Sequence, residues 1–193
     1  MMELDPQERP RSVYRTLSSL VVPRPIGWIS TVSADGTDNL APFSYFNAVG
    51  NSPPTVMFSA GDRDGQPKDT SQNALDTGEF VTNLVTEEFV PAMDKTSEAV
   101  GGSEFDAGDI ERTPAETVTP PRVANALAHL ECEVADSIRI GGNTVVFGEV
   151  TFVHVDESLV SDGAVDAREI DAVGRFGGPF YTRTDLMDYT RQY

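Results

Sequence analysis

Lysine is nearly absent from this chain of 193 residues, in which Lys68 and Lys95 are the only lysines among 14 basic residues. Cysteine is rarer still: Cys132 stands alone, so neither an internal disulfide nor a Cys-x-x-Cys pair can form. It occupies an apolar position of a strand-like segment, which favours a small buried side chain over a reactive thiol. His129 and His154 are far apart in sequence and outside any His-Glu-x-x-His spacing, so no metal site is expected.

Long apolar runs are also missing. No stretch approaches the length that a membrane-spanning helix requires. The first six residues, Met1 to Pro6, have neither the basic nor the apolar run of a signal peptide. We therefore expect a cytoplasmic protein.

Positive charge is outnumbered, with 31 acidic residues against 14 basic ones and a net charge of −17. Such a field repels nucleic acids and anionic membrane surfaces, so neither is expected as a partner. The acidic residues are dispersed along the chain, as in proteins from cells with a high internal salt concentration, where salt screens their repulsion. The composition therefore predicts a halophilic protein and raises the question of why Lys68 is still a lysine.

Closely spaced strands are predicted in the first half of what we interpret as a single domain, residues 1–193. Strands at 26–32 and 39–49 flank an Asp-Gly turn that is typical of a hairpin. Aromatic residues on both faces of the second strand predict that both faces are covered. A third, short strand is predicted at 55–60.

Short helices and a second hairpin follow. A helix is predicted at 69–78, capped by Asp69 or Thr70 and ended by Gly78. A strand at 80–85 and a helix at 87–95 come next, and then a long Gly-, Pro- and acid-rich excursion at 96–121, which indicates a functional or packed loop. A hairpin is predicted from strands at 126–140 and 143–156. Many short strands with two short helices favour a mainly β fold, a β-barrel with short helices.

No Gly-rich dinucleotide loop, phosphate-binding P-loop or Gly-x-Ser-x-Gly elbow is present. One anion site is a candidate, because Ser59 ends the third strand and Lys68 opens the helix that follows. The first turn of a helix offers free N–H groups and a partial positive charge to a phosphate. An ordinary helix cap beside a solvated lysine is the alternative, and the spacing leaves both open.

Two aromatic segments are open to two interpretations. Trp28 on a strand is more often a core residue than a cofactor platform, and Ser30 and Thr31 suit an edge strand equally well. The run 41–47 interleaves polar and aromatic side chains. This pattern suits a planar, partly polar ligand, and it also suits a buried strand whose hydroxyls are hydrogen-bonded.

Several motifs occur in order over residues 14–181. They are Arg24-Pro25-Ile26-Gly27-Trp28-Ile29-Ser30-Thr31, Gly36, Asn39-Leu40-Ala41-Pro42-Phe43-Ser44-Tyr45-Phe46-Asn47, Pro53-Pro54, Lys68-Asp69-Thr70-Ser71 with Asn73-Ala74, Phe80-Val81-Thr82-Asn83, and Gly174-Arg175-Phe176-Gly177-Gly178 with Tyr181. Together they resemble the flavin reductase-like, FMN-binding family. Residues 96–121 carry no motif that matches.

The resemblance implies an FMN-binding split barrel related to the pyridoxamine-phosphate-oxidase fold, usually a homodimer with the flavin near the subunit interface. It implies that the phosphate and ribityl end of FMN is lined by Ser59, Lys68, Asp69, Thr70 and Ser71. It places Trp28, Ile29, Ser30 and Thr31 along the side of the cofactor. From the run 41–47 it assigns Phe43, Ser44 and Asn47 to the ring, and Arg175 and Tyr181 close the site from either subunit.

The implied activity is hydride transfer from NADH or NADPH to the flavin, followed by electron delivery to free flavin, ferric iron or an oxygenase partner. The cofactor carries this chemistry, so no side chain is expected to act as an acid or a base. One alternative is an FMN-binding electron carrier, storage protein or sensor that does not react with nicotinamide. Another is a cofactor-free interaction protein on the same barrel.

Overall fold

The computed structural model describes residues 1–98 and 100–190, and its helices are short. The described residues form four α-helices and two 3₁₀ turns: α1 (Pro10–Leu20), α2 (Asp69–Thr77), α3 (Val90–Lys95), α4 (Glu104–Gly108), Glu87–Phe89 and Glu157–Leu159. The helices expected at 69–78 and 87–95 are confirmed as α2 and as a 3₁₀ turn continued by α3. Helices α1 and α4 were not predicted. None of the described helices combines the length and the apolar character needed to cross a membrane.

Strands dominate the fold, which confirms the mainly β prediction. They are β1 (Arg24–Pro25), β2 (Gly27–Val32), β3 (Asp38–Phe43), β4 (Phe46–Asn51), β5 (Pro54–Gly61), β6 (Glu79–Asn83), β7 (Arg112–Thr113), β8 (Arg122–Val123), β9 (Ala128–Ile140), β10 (Asn143–Val155), β11 (Val160–Ser161), β12 (Ala164–Val165), β13 (Val173–Arg175) and β14 (Tyr181–Arg183). Seven of them form one antiparallel sheet in the order β3-β2-β6-β9-β10-β5-β4, which curls into a split barrel. A small sheet of β1, β13 and β14 lies beside it.

The prediction of a single strand at 39–49 is wrong. The chain bends at Ser44 and Tyr45, so that β3 pairs with β2 while β4 pairs with β5. These two strands end the sheet order on opposite sides, and one straight strand could not reach both. The backbone N–H of Ser59 donates to the carbonyl of Tyr45 at 2.8 Å, which holds the bend against β5. The predicted cover on both faces also fails, because residues 47–51 are exposed.

Strand β2 separates two apolar clusters and is buried along its whole length. Trp28 packs with the cluster that includes Leu40 and Phe105, and the neighbouring Ile29 packs inside the barrel with Phe58 and Phe80. Successive side chains of a strand point to opposite faces, which places these two neighbours in different clusters. Burial of each large apolar side chain contributes about 1.5–3 kcal/mol to the stability of the folded state.

Cys132 lies fully buried inside the barrel, in the cluster of Ile29. Its surroundings raise the pKa of the thiol, chiefly through burial and then through the charge of Glu131. The side chain is therefore a small core group, as predicted.

The excursion at 96–121 is packed rather than free. Helix α4 begins after Ser103, whose hydroxyl accepts a hydrogen bond from the N–H of Phe105. Phe105 is fully buried and joins the cluster of Trp28. Ala99, within this segment, lies outside the described residues. The packing of Phe105 fixes α4 against β3, and this contact brings Glu104 to the site described next.

Candidate functional site

Three cavities meet at the end of β3, and Pro42 lines all of them. Their volumes are about 250, 210 and 330 Å³. Lys68 lines the first and the third, and Ser44 lines the second and the third, so the three are neighbouring parts of one groove. We call this groove the polar cleft. Joined in this way, the cavities reach the size range of small-molecule sites.

Cationic groups mark one end of the polar cleft. Lys68 is the N-cap residue of α2, and Arg63 lies in the loop that precedes it. Burial and the charge of Arg63 together lower the pKa of Lys68, whose Nζ lies 5.5 Å from the ring centroid of Phe43. Within the described residues, neither cation has a carboxylate oxygen within the 4.0 Å of an ion pair. The first N–H groups of α2 also have no partner within the helix, so this end attracts an anion.

Buried polar groups connect this end of the cleft to β3 and α4. The Asn39 Oδ1 accepts hydrogen bonds from the Thr70 hydroxyl at 2.6 Å and the Thr31 hydroxyl at 3.3 Å. The Asn39 amide donates to Glu104 Oε2 at 2.9 Å, and the N–H of Leu40 donates to the same oxygen at 3.1 Å. Burial, and to a smaller extent the charge of Asp69, raise the pKa of Glu104, while hydrogen bonds from Leu40, from its own N–H and from Asn39 oppose that rise. The network holds the first turn of α2 against β3.

Aromatic and charged groups form the opposite end. The Arg175 guanidinium lies 4.7 Å from the ring centroid of Tyr181, and its Nη2 donates to the carbonyl of Gly178 at 3.0 Å. The Tyr181 hydroxyl donates to Asp94 Oδ1 at 2.7 Å. Burial and the Asp94 carboxylate raise the pKa of Tyr181, so its hydroxyl stays protonated at neutral pH. A planar ring with polar edges would meet both donors and apolar surface here.

The structure brings together eight of the fourteen residues predicted for the site. Those that line the polar cleft are Phe43, Ser44, Ser59, Lys68, Asp69, Thr70, Arg175 and Tyr181. Because Lys68 rather than Asp69 or Thr70 is the N-cap residue, both of those side chains belong to the first turn of α2. Thr70 is tied to Asn39, and Asp69 is exposed.

The other six residues do not line the cleft. Trp28, Ile29, Ser30 and Thr31 are fully buried along β2, Ser71 is buried in α2, and Asn47 is exposed on β4. Several of them support the cleft from behind. The Trp28 indole donates to the Thr96 hydroxyl at 2.9 Å, and the Ser71 hydroxyl donates to the carbonyl of Lys68 at 2.9 Å. Direct contact of these six with a cofactor remains a prediction.

Among the cleft residues that were not predicted for the site are Asn39, Arg63 and Glu104. Arg63 carried a usable signal, since it is a cation five positions before Lys68 in a chain that has few. Asn39 lay inside a recognised motif but had no assigned role. Glu104 lies in the excursion that matched no motif, so only the packing of α4 reveals it.

The two histidines, distant in sequence, face each other across β9 and β10, with ring centroids 6.0 Å apart. His154 Nε2 lies 2.5 Å from Oε1 of the fully buried Glu131, and His129 Nδ1 lies 2.9 Å from Asn83 Oδ1. Glu131 also accepts hydrogen bonds from the backbone of Glu116 and Thr117. These contacts fasten the excursion to the barrel and lie apart from the polar cleft.

A separate cavity of about 390 Å³ has a different character. Its lining is mostly apolar and includes Ile26, Phe46, Leu130 and Val173. The Thr82 hydroxyl, also part of its lining, is buried and has no partner among the described residues. Arg24 borders both this cavity and the polar cleft, but its guanidinium is already bonded to the carbonyls of Ser18 and Val21. We therefore place the candidate site in the polar cleft.

This chain is similar to known proteins in both its sequence and its structure. The family described as "Flavin reductase like domain" matches residues 18–191. A protein of Aquifex aeolicus is 37% identical over 176 residues, covering 89% of this chain and 90% of its own. The structure of nitrilotriacetate monooxygenase component B from Bacillus cereus is 29% identical, with a TM-score of 0.94 over 98% of each chain. That of 2-nitrobenzoate 2-nitroreductase from Pseudomonas fluorescens is 28% identical, with a TM-score of 0.90 over 99% of this chain and 96% of the other.

Proposed function

The chain belongs to the flavin reductase-like family, and from that premise we propose that it is an FMN-dependent oxidoreductase that accepts hydride from NADH or NADPH. Flavin binding and oxidoreductase activity follow from the family. The choice of FMN, the nicotinamide donor and the electron acceptor are the finer parts of the proposal.

One observation carries the choice of FMN: Lys68 and Arg63 line the start of α2 without a carboxylate partner among the described residues. Two like charges held together are unfavourable until an anion lies between them. A terminal phosphate satisfies both cations and the free N–H groups of α2. The residues therefore fit a flavin that ends in phosphate, with its ring toward Ser44, Arg175 and Tyr181.

The chain's own residues hold and orient the cofactor. Bound flavin supplies the capacity to accept a hydride and to release its electrons. Ser44 and the protonated Tyr181 hydroxyl present polar atoms at the ring end, and Arg175 places a positive charge there. No dinucleotide-binding loop occurs in the sequence, so the nicotinamide is expected to approach through the open side of the cleft.

A colour change tests this proposal. We expect the FMN-loaded protein to lose its absorbance at about 450 nm when NADH or NADPH is added without oxygen. Stopped-flow absorbance measures the rate, and dithionite reduction serves as the control that the bound flavin is reducible. A yellow protein that is bleached by dithionite and by neither nucleotide would instead support the alternative, an FMN-binding electron carrier, storage protein or sensor.

The electron acceptor is proposed from the similar proteins. Component B of nitrilotriacetate monooxygenase is part of an oxygenase system. By analogy, this chain would pass electrons to an oxygenase partner, to free flavin or to ferric iron. We also propose that residues 1–193 form one domain and that two copies form a homodimer, as the family resemblance implies. Strands β9 and β10 expose apolar side chains for such an interface at both ends of their hairpin, Ile138 and Ile140 near the turn and Phe152 and Val153 far from it.

Dependence on salt is the test of the halophilic prediction. The net charge of −17 is self-repulsive, and raising the ionic strength from about 0.1 to 1 M shortens the screening length from about 10 to 3 Å. We expect the melting temperature to rise by roughly 5 °C or more between these concentrations of KCl, which corresponds to about 1–2 kcal/mol for a chain of this size. Scanning calorimetry measures it, with sucrose of equal osmolality as the control. A flat or falling melting temperature would contradict the prediction.

A further inference from the structure

Glu104 is a buried carboxylate in the polar cleft that the excursion at 96–121 supplies. Only 7% of the residue is exposed, and it lines the cavity that Pro42, Arg63 and Lys68 also line. Buried carboxylates are costly unless both oxygens are hydrogen-bonded. The hydrogen bonds that each of its two oxygens accepts therefore decide what the carboxylate can bind.

The two oxygens of Glu104 differ. Oε2 accepts hydrogen bonds from the Asn39 amide and from the N–H of Leu40. The N–H of Glu104 itself is a further donor to the carboxylate. No other described residue donates to Oε1. The carboxylate is thus anchored through one oxygen and retains an acceptor on the other.

The charges nearby limit what this acceptor can bind. The cavity is lined by two cations, Arg63 and Lys68, and by the carboxylates of Asp64, Asp69 and Glu98 besides Glu104, so charges of both signs surround this acceptor. A neutral donor such as a hydroxyl is compatible with both. The cavity that Glu104 lines also connects Pro42, where the ring end begins, to the cationic end where a phosphate fits.

We propose that Glu104 is a specificity-determining residue that accepts a hydrogen bond from a ribityl hydroxyl of the bound flavin. The proposal rests on FMN as the ligand of the polar cleft. It assigns a binding role to the excursion: α4 delivers a hydroxyl acceptor to the span between ring and phosphate. A hydroxyl-to-carboxylate hydrogen bond discriminates well against a ligand that lacks the hydroxyl, because the carboxylate is then left without a donor.

The test compares FMN with a flavin whose side chain is a phosphorylated pentyl group without hydroxyls. Both retain the ring and the phosphate, so only the hydroxyls differ. We expect the wild-type protein to prefer FMN by about tenfold or more, the usual effect of one hydrogen bond to a charged group. In Glu104→Gln this preference is expected to fall to about twofold or less. Fluorescence titration measures all four affinities.

Glu111→Gln is the matched control, because Glu111 is an exposed carboxylate of the same excursion that lines none of the three cavities. It removes the same charge and should leave the preference for FMN unchanged. A preference that survives in Glu104→Gln, or an equal loss of both ligands, would overturn the proposal and leave Glu104 as a support for β3. A wild-type protein that binds both flavins equally would overturn it without any variant.

Two further experimental results are possible, and each has its own meaning. If the wild-type protein binds neither flavin, the proposed function itself fails. If Glu104→Gln melts early, Glu104→Asp is measured in its place, because it keeps the charge but shortens the side chain. The preference for FMN must then fall in that variant, and an unchanged preference would count against the proposal.

Discussion

Lys68→Ala is expected to weaken FMN binding by about 10- to 100-fold while leaving riboflavin binding within about twofold of the wild type. A hydrogen bond between two charged groups contributes about 1.5–3 kcal/mol, which is the source of the range. Riboflavin has no phosphate and cannot use the lysine charge. The half-buried position of Lys68 beside Phe43 keeps the charge from being fully screened by solvent. Isothermal titration with the two flavins measures both constants.

Lys95→Ala is the matched control for this prediction. Lys95 is the other lysine of the chain, lies exposed in the last turn of α3 and lines none of the three cavities of the cleft. Its removal should change neither affinity. Arg63→Ala should reproduce the selective loss of FMN. An unchanged FMN affinity in Lys68→Ala would refute the phosphate assignment, and an equal loss of riboflavin would show that the lysine acts through its packing.

Acid is expected to remove a large part of the stability in two steps. His129 has its pKa lowered to about 4, first by burial and then by the charges of Arg122 and His154. The unfolded chain takes up this proton at about pH 6.5, so the stabilising contribution is complete above that pH and is lost as the pH falls toward 4. Burial tends to raise the pKa of Glu131, but hydrogen bonds from Glu116, Thr117 and His154 outweigh it and lower the pKa to about 2.

The Glu131 contribution is complete above the unfolded pKa of about 4.5 and is lost as the pH falls toward 2. Each shift corresponds to a contribution on the order of 3 kcal/mol. Acidification also relieves the repulsion among the 31 acidic residues, so differences between variants are more informative than one curve. We therefore expect the difference in unfolding free energy between wild type and His129→Gln to change by about 3 kcal/mol between pH 7 and pH 4.

Glu131→Gln should be destabilised by about 3–5 kcal/mol at pH 7, because it leaves the donors of Glu116, Thr117 and His154 poorly matched. Glu133→Gln is the control, since Glu133 lies on the same strand with an exposed side chain. Urea unfolding at pH 7, 5.5 and 4 measures each free energy. A Glu131→Gln protein as stable as Glu133→Gln would refute the role of the buried carboxylate.

The sequence predicted the parts of the fold that depend on local signals. Gly78 ends α2 in the left-handed conformation with a φ of 78°, and the β9–β10 hairpin turns at Gly141. Both features were predicted from the residues that adjoin these glycines in the sequence. The bend at Ser44 and Tyr45 was missed because it is set by the choice of pairing partner, β2 on one side and β5 on the other. That choice is a tertiary effect which no window of the sequence contains.

Residues of the candidate site also divide into those that a local signal reveals and those that only tertiary packing reveals. Lys68 could be found because it departs from the composition of the rest of the chain. Asn47 was assigned to the ring through the family resemblance, and the bend carries it to the exposed strand β4. Glu104 lies 62 positions after Pro42 in the sequence, and it reaches the cleft because Phe105 packs in the core. Such a long-range contact leaves no local pattern in the sequence.

The open side of β3 has a consequence for self-association. The N–H of Leu40 points away from β2, since it donates to Glu104, and alternate residues of a strand direct their N–H groups to the same side. Pro42 therefore stands where the next outward donor would be, and it has none. A strand from another molecule would find one donor occupied and the next one missing, so it could not extend the sheet. The edge that is left free for a ligand is in this way protected from aggregation.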